Sequence, residues 1–428
     1  MTTLKDILLT LLLIFTCFFI LRRLLNLGAF IFDSHFRFRG QQREAFDRSQ
    51  QDRRYTPLSV LLMAGGDPQA LLVTLDSLQK QTYPLYEIIV LEDSMKDSDV
   101  RALIKQLELL PLPQPVRRQL KCTPETAIYE SGKLPLRLVR RPKTCLGDAW
   151  NLGINMARYP YFACIQAGVQ LPADGLDKLM GPFFQYRDTL ATGGGVQNAD
   201  SAWPSPLATL ENLEYDRSIP APQVLLHSKT LLLFGGPSAY RKDVVIEAGG
   251  FPARDDGLDP GLTLALQRCF RKKGLPCRIV YVPETTAYLP QSSSMQQILT
   301  RRRCWQRGMK LAMKDNAELL CLYRFCGATL QYLMFLLFSL WAPLLTAIGG
   351  LVVLICLCLR LLDSGLLLQI LILSFLFKLL LSLSVFRNRT EGLSLPPKFL
   401  PAFLLLWLHA NTLYRIRIMT ARIQGLFA

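Results

Sequence analysis

One ten-residue stretch, Pro84-Leu85-Tyr86-Glu87-Ile88-Ile89-Val90-Leu91-Glu92-Asp93, constrains the fold of this chain more than any other. Ile88 to Leu91 is a wholly apolar run, the pattern of a strand covered on both faces in a parallel sheet. It stops on two adjacent carboxylates, and Ser94, Lys96, Asp97 and Ser98 then read as a loop. Upstream, Leu58 to Met63 is a second apolar strand. A Gly65-Gly66-Asp67-Pro68 turn follows it, then a helix with Leu71, Leu72, Leu75 and Leu78 at helical spacing. Strand, turn, helix, strand is a βαβ unit, which commits the region to an α/β fold with a parallel sheet. Such sheets bind ligands beyond the carboxyl ends of their strands, where Glu92 and Asp93 stand. Two readings of that pair stay open: a ligand-reading site, or a strand that simply ends on solvated acids.

The alternation continues downstream. Val100 to Leu110 reads as a helix, Pro111 to Pro135 as an irregular insertion, and Leu136 to Arg140 as a strand. Ala149 to Ala157 reads as a helix and Tyr161 to Ile165 as the next strand. Both ends of the chain are different in character. Half of the 428 residues are hydrophobic, and the mean hydropathy of +0.23 comes mainly from the two ends. The run from Ile7 to Ile20, continuing to Leu25, is long enough for a membrane span, which needs roughly 20 residues. Only Lys5 is basic before it, whereas Arg22, Arg23, Arg37, Arg39, Arg43 and Arg48 follow. The bias of positive charge predicts the N-terminus outside and the middle of the chain in the cytosol. Four further spans are expected at 326–343, 345–362, 366–386 and 398–414, returning the C-terminus to the cytosol.

The expected organisation is therefore an N-terminal transmembrane helix (1–27), a basic cytosolic linker (28–55) and an α/β domain (56–294). An amphipathic interface region (295–320) and a C-terminal transmembrane region (321–428) complete it. Met295 to Leu311 is a basic amphipathic helix suited to the cytosolic leaflet, with Trp305 turned to the cleft and Arg302 and Lys310 toward lipid headgroups. A net charge of +16 suits an acidic ligand or an anionic membrane surface. Nucleic acid is not indicated, since neither an aromatic-basic RNA motif nor zinc-type spacing accompanies the charge. The 11 cysteines are scattered without a paired framework and read as reduced thiols.

Several of these segments resemble the family 2 glycosyltransferases. The likeness lies in Leu58-Ser59-Val60, Leu75-Asp76-Ser77-Leu78, Gln81-Thr82-Tyr83-Pro84 and Glu87-Ile88-Ile89-Val90, ending on acids where that family has Asp-Asp-Gly-Ser. Leu171-Pro172-Ala173-Asp174, Asn151 with Gly153, and Gly249-Gly250-Phe251 also match. The resemblance implies a GT-A-like nucleotide-sugar-binding domain with a parallel-rich mixed sheet, flanked by transmembrane helices. It further implies the bacterial inner (plasma) membrane, with the soluble domain in the cytoplasm and a role in cell-surface polysaccharide synthesis. By resemblance Glu92 and Asp93 would hold the donor's uracil and ribose, Asp259 would be the base, and Trp305 would stack on the acceptor.

The chemistry makes demands that this sequence meets unevenly. An inverting transfer needs a carboxylate base and neutralisation of the departing diphosphate, normally by a cation on carboxylate oxygens. The family's Asp-x-Asp falls here on Gln166-Ala167-Gly168. Gln166 can hydrogen-bond a sugar but is a poor ligand for a hard cation, so no metal-ligating set is assigned, and Mg²⁺ or Mn²⁺ would lack its usual seat. Leu146 stands where the family carries Lys, Leu258 replaces a Glu before Asp259, and Gln-x-x-Arg-Trp reads Arg301-Arg302-Arg303-Cys304-Trp305. Asp255 and Asp256 are alternative bases in a shifted register, and Arg302 with its neighbours is a candidate contact for the diphosphate. The expectation is a nucleotide-sugar-binding scaffold in a non-catalytic role beside a second, intact synthase subunit. The alternative is an active inverting transferase with reduced or absent metal dependence that carries sugar to a polysaccharide acceptor.

Overall fold

The computed structural model describes residues 6–18, 55–112, 118–198, 236–290, 294–320, 341–359 and 416–427, with a few isolated positions. Its centre is a nine-stranded sheet. The strands are β1 (Leu58–Met63), β2 (Tyr86–Glu92), β3 (Leu109–Pro111), β4 (Ala127–Ser131), β5 (Leu136–Arg140), β6 (Tyr161–Gln166), β7 (Thr189–Asn198), β8 (Ser238–Arg241) and β9 (Arg278–Leu289). Their order is β3-β4-β5-β2-β1-β6-β8-β7-β9. β5, β2, β1 and β6 run parallel, and β3, β4 and β8 join antiparallel. The sheet is thus mixed and parallel-rich at its centre, as the sequence predicts. β4 corrects the sequence reading, which leaves Pro111–Pro135 irregular. A short strand near the sheet edge with a mixed polar sequence carries no apolar run to announce it.

Alternation along the central strands builds two cores. Leu58, Val60 and Leu62 of β1 and Ile88 and Val90 of β2 face one side. There they meet helices α1 (Pro68–Gln79), through Leu71, Leu75 and Leu78, and α4 (Gly175–Gln185), through Leu176 and Leu179. Leu61, Ile89 and Leu91 face the other side, against Trp150, Leu152 and Ile154 of α3 (Leu146–Met156) and Leu262 and Leu266 of α6 (Leu258–Lys272). Each such fully buried side chain stabilises the fold by ~1.5–3 kcal/mol. Between them in the chain lie α2 (Asp97–Gln106) and α5 (Lys242–Glu247). A buried ion pair sits at this core: Glu87 of β2 accepts from Ser59 Oγ at 2.7 Å and from Arg137 Nη2 at 2.6 Å, so both charges are buried but paired.

Helix α7 (Met295–Asp315) is seated on α6 by a close backbone contact. Gly257 caps α6 at φ 67°, and a Cβ on Gly308 would stand 2.3 Å from the Gly257 nitrogen. Arg307 Nε donates to Asp256 Oδ2 at 2.7 Å and Arg254 Nη1 to Asp315 Oδ2 at 2.6 Å, pinning the same surfaces. Helix α8 (Ala342–Cys358) has 17 residues and covers part of the span expected at 345–362. Among the described residues no helix is both long and apolar enough to cross a membrane. The spans expected at 366–386 and 398–414 and most of 326–343 lie outside the described residues.

The Gly257–Gly308 contact leaves no room for a side chain. Gly308→Ala should cost ~1–3 kcal/mol, read as a fall in the denaturant midpoint. Gly181→Ala on α4, where an added Cβ meets nothing within 4 Å, should be neutral or stabilising by ~0.5–1 kcal/mol. Equal effects of the two would contradict the seating of α7.

Candidate functional site

β1 lies between β2 and β6, so the chain reverses its direction of sheet growth there, and the crevice opens at the carboxyl ends of β1 and β6. Gln166 ends β6 at that point and is exposed. The next two residues turn onto α1: the Ala167 N–H donates to the Met63 carbonyl at 2.8 Å, and the Gly168 N–H to the Ala70 carbonyl at 3.0 Å and to Thr74 Oγ1 at 2.9 Å. Gln166 is therefore the one side chain with polar atoms at the Asp-x-Asp place. Among the described residues no group of three or more His, Cys, Asp or Glu is arranged to hold a metal ion.

The acids at the end of β2 are already engaged. Glu92 is buried; its Oε1 accepts from the Ser94 N–H at 3.0 Å and the Met95 N–H at 2.8 Å, and its Oε2 from Arg140 Nε at 3.1 Å. Asp93 Oδ2 accepts from Arg141 Nη1 at 3.2 Å and Oδ1 from Ser94 Oγ at 2.8 Å. The Arg141 side chain has 0% exposure and that of Asp93 7%, so this pair is out of water. Arg141 Nη2 also donates to Asp148 Oδ2 at 2.6 Å and to Thr144. Burial alone would raise the Asp148 carboxyl, yet hydrogen bonds from Thr144, Thr123 and Arg141 outweigh it and hold the group below its ordinary range. Arg140 reaches Asp97 at 2.8 Å as well, and this contact lowers the Asp97 carboxyl.

The start of α3, at Leu146, is closed by another carboxylate. The Leu146 N–H donates to Asp255 Oδ1 at 2.8 Å, an anion on a helix N-terminus. With Asp256 bound to Arg307, both shifted-register alternatives for the base are occupied in ion or cap contacts. Asp259 stands apart from them, in the first turn of α6. Its Oδ1 accepts from Tyr240 Oη at 2.9 Å and Ser238 Oγ at 3.1 Å, both on β8. Ser238 pairs with Cys164 of β6, which brings Asp259 to the same edge of the sheet as Gln166. The Tyr240 ring is clamped between Phe162 (5.4 Å, stacked) and Phe251 (5.8 Å, edge-on). Burial, then the charge of Asp259, push the Tyr240 phenol well above its ordinary range, so it remains a donor.

The structure thus gathers Glu92, Asp93, Gln166 and Asp259 toward one end of the sheet, while Trp305 and Arg302 lie on α7. Trp305 packs against the cluster that contains Leu264, Met309, Met313 and Leu426, with the Arg422 guanidinium 5.4 Å over its ring. Arg302 and Lys310 do not reach outward as the sequence suggests. Arg302 is only 7% exposed, and Lys310 Nζ donates to the Leu426 carbonyl at 2.6 Å. Arg302 lies on the buried face of α7 that also carries Ile298, Gln306, Met309 and Met313. Sequence reasoning overlooks Arg141, Asp148, Ser238 and Tyr240 as site residues. Arg140-Arg141 had a signal, since they end one parallel strand as Glu92-Asp93 end another; Ser238 and Tyr240 lie in the stretch Gly235-Gly236-Pro237-Ser238-Ala239-Tyr240-Arg241, which in sequence looks like the glycosyltransferase family but does not single out either residue. A hard divalent cation does not fit this edge. Its strand-end carboxylates are held by arginines, and β6 contributes an amide in place of acids.

Arg141→Met should destabilise the chain by ~3–5 kcal/mol, because Asp93 and Asp148 lose a buried partner. Arg140→Met, at a 30% exposed side chain, should cost clearly less. Urea unfolding of both variants checks this, and equal losses would contradict it.

No protein-family model matches the chain. Hyaluronan synthase from Streptococcus pyogenes is 24% identical over 194 residues, covering 45% of this chain and 42% of the relative. The chain thus matches about two fifths of that relative's length. Among solved structures, the mannosyltransferase PcManGT from Pyrobaculum calidifontis, in complex with GDP-Man and Mn²⁺, superposes with a TM-score of 0.52 at 14% identity. That match covers 91% of this chain and 99% of that one. S. aureus TarS 1–349 with UDP-GlcNAc gives a TM-score of 0.40 at 13% identity over 66% of this chain and 73% of that one. The chain has the mixed α/β, parallel-rich fold of the GT-A glycosyltransferases and a stretch similar in sequence to hyaluronan synthase.

Proposed function

We propose that this chain is a membrane-embedded, family 2 glycosyltransferase-like protein of cell-surface polysaccharide synthesis, working beside a catalytically intact synthase rather than transferring sugar itself. One observation carries the reading: the strand-end acids are neutralised within the chain, Glu92 by Arg140 and Asp93 by Arg141, while Gln166 stands where a metal-binding acid is required. A diphosphate arriving there finds neither a cation seat nor a free helix N-terminus, since Asp255 caps α3. The hyaluronan synthase similarity supports the polysaccharide class, and the GDP-Man bound by the mannosyltransferase of like fold supports a nucleotide-sugar ligand.

Embedding in the bacterial inner membrane, with the α/β domain on the cytoplasmic side, is supported by two apolar helices. Leu8, Leu12 and Phe15 pack against Val352 and Cys356 of α8, while Leu13, Ile14, Leu351 and Leu354 remain outward. Thr10 and Thr16 turn their hydroxyls back onto their own helix carbonyls, so neither needs water.

A second reading, metal-independent inverting transfer, is favoured by the seat of Asp259. Two hydroxyls hold one oxygen of that carboxylate, as a base that must keep its orientation requires. The carboxylate would take the acceptor hydroxyl proton while that oxygen bonds the anomeric carbon and the carbon–oxygen bond to the diphosphate breaks. Glu92 and Asp93 would hold the nucleotide, Trp305 the acceptor, and Arg301–Arg303 would neutralise the diphosphate. The experiment offers the full chain in lipid nanodiscs labelled UDP-GlcNAc, UDP-glucose, UDP-glucuronate or GDP-mannose with Mg²⁺ or Mn²⁺. The expected outcome is no difference between wild type and Asp259→Asn. Product that falls ~10²-fold or more in Asp259→Asn would establish the second reading and overturn the first.

A further inference from the structure

The segment 416–427 is helical, far in sequence from α7, and yet docks on it through Arg422, Gly425 and Leu426. Leu426 is buried among Leu264 of α6, Met309 and Met313 of α7, and Leu319. Its carbonyl accepts from Lys310 Nζ at 2.6 Å. One residue earlier, Gly425 lies so close to α7 that a Cβ would stand 2.6 Å from the Arg303 carbonyl oxygen, so only glycine fits. One helical turn before that, Arg422 lies 5.4 Å over the Trp305 ring. An apolar anchor, a glycine seat, a charge-assisted hydrogen bond and a cation–π contact at successive positions make a shaped interface rather than a chance touch.

We infer that this C-terminal segment is an intramolecular latch that keeps Trp305 covered, and that a saccharide chain gains the ring only when the latch lifts. The chemistry of competition is direct. The flat face of an indole takes either a guanidinium or the C–H face of a sugar ring, and Arg422 occupies it here. The inference rests on the reading of Trp305 as a saccharide contact, and it holds whether or not Asp259 performs transfer. A latched ring lowers apparent saccharide affinity by the fraction of open molecules, so weakening the latch raises that affinity.

The test uses the full chain in nanodiscs, as wild type, Arg422→Ala and Gly425→Val. Acrylamide quenching of Trp305 is taken as the difference between each chain and its Trp305→Phe counterpart. Binding of chitohexaose and of a hyaluronan hexasaccharide is titrated in parallel. Both variants are expected to expose Trp305 to quencher and to bind at least one saccharide about fivefold tighter or more, ~1 kcal/mol. Unchanged quenching in both variants would show that the segment is no latch. Increased quenching with saccharide affinity unchanged or lower would show that the latch guards no saccharide site, and would also overturn the inference. Neither outcome bears on nucleotide binding or on Asp259, so the proposed function stands or falls separately.

Discussion

Two neighbouring parallel strands end in opposite charges, and the rest of the site is arranged around that fact. β2 closes on Glu92-Asp93 and β5 on Arg140-Arg141, and the parallel register sets Glu92 directly beside Arg140. Each acid then has a guanidinium within hydrogen-bond reach, and Arg141 extends the chain of charges to Asp148 at the start of α3. Bringing a buried pair such as Arg141–Asp93 out of water costs several kcal/mol that the pairing must offset, so neither partner is readily lent to a ligand. An anion arriving at that edge would meet acids already neutralised within the chain.

The segments that carry the family resemblance are bonded to one another. Gln81 donates to the Pro172 carbonyl at 2.8 Å and accepts from the Leu176 N–H at 3.0 Å, while the Thr82 N–H bonds the Ala173 carbonyl at 2.8 Å. Thus the Gln81-Thr82-Tyr83-Pro84 and Leu171-Pro172-Ala173-Asp174 segments clasp each other. Asn151 forms a reciprocal pair with the Phe251 backbone, 3.0 Å and 2.8 Å, and leaves room for no side chain at Gly250. These contacts fix backbone and stay necessary whether or not sugar is transferred.

What was legible in the sequence follows the strength of each physical signal. The central strands were legible because they alternate apolar residues to both faces, leaving long runs such as Ile88–Leu91. Helix α3 begins at Leu146, three residues before the sequence reading starts it, because Asp255 caps it from 109 residues away. β4 and the inward turn of Arg302 were hidden for the same reason: both depend on neighbours distant in the chain. Asp259 is identified by family spacing alone, and its partners Ser238 and Tyr240 emerge only once β8 is placed against β6. The outer spans at 366–386 and 398–414 lie outside the described residues.

Nucleotide calorimetry probes the self-neutralised sheet edge most directly. Purified chain is titrated with UDP at low and high salt, with and without Mg²⁺. With Glu92 and Asp93 held by arginines and Gln166 on β6, the cation gains little hold on the protein. UDP affinity should be weak, should fall as salt screens the net charge of +16, and should shift by less than about tenfold, ~1.4 kcal/mol, on adding Mg²⁺. A metal-dependent gain well beyond tenfold would contradict the account, because it would mean that the strand-end acids leave their arginines to bind a cation.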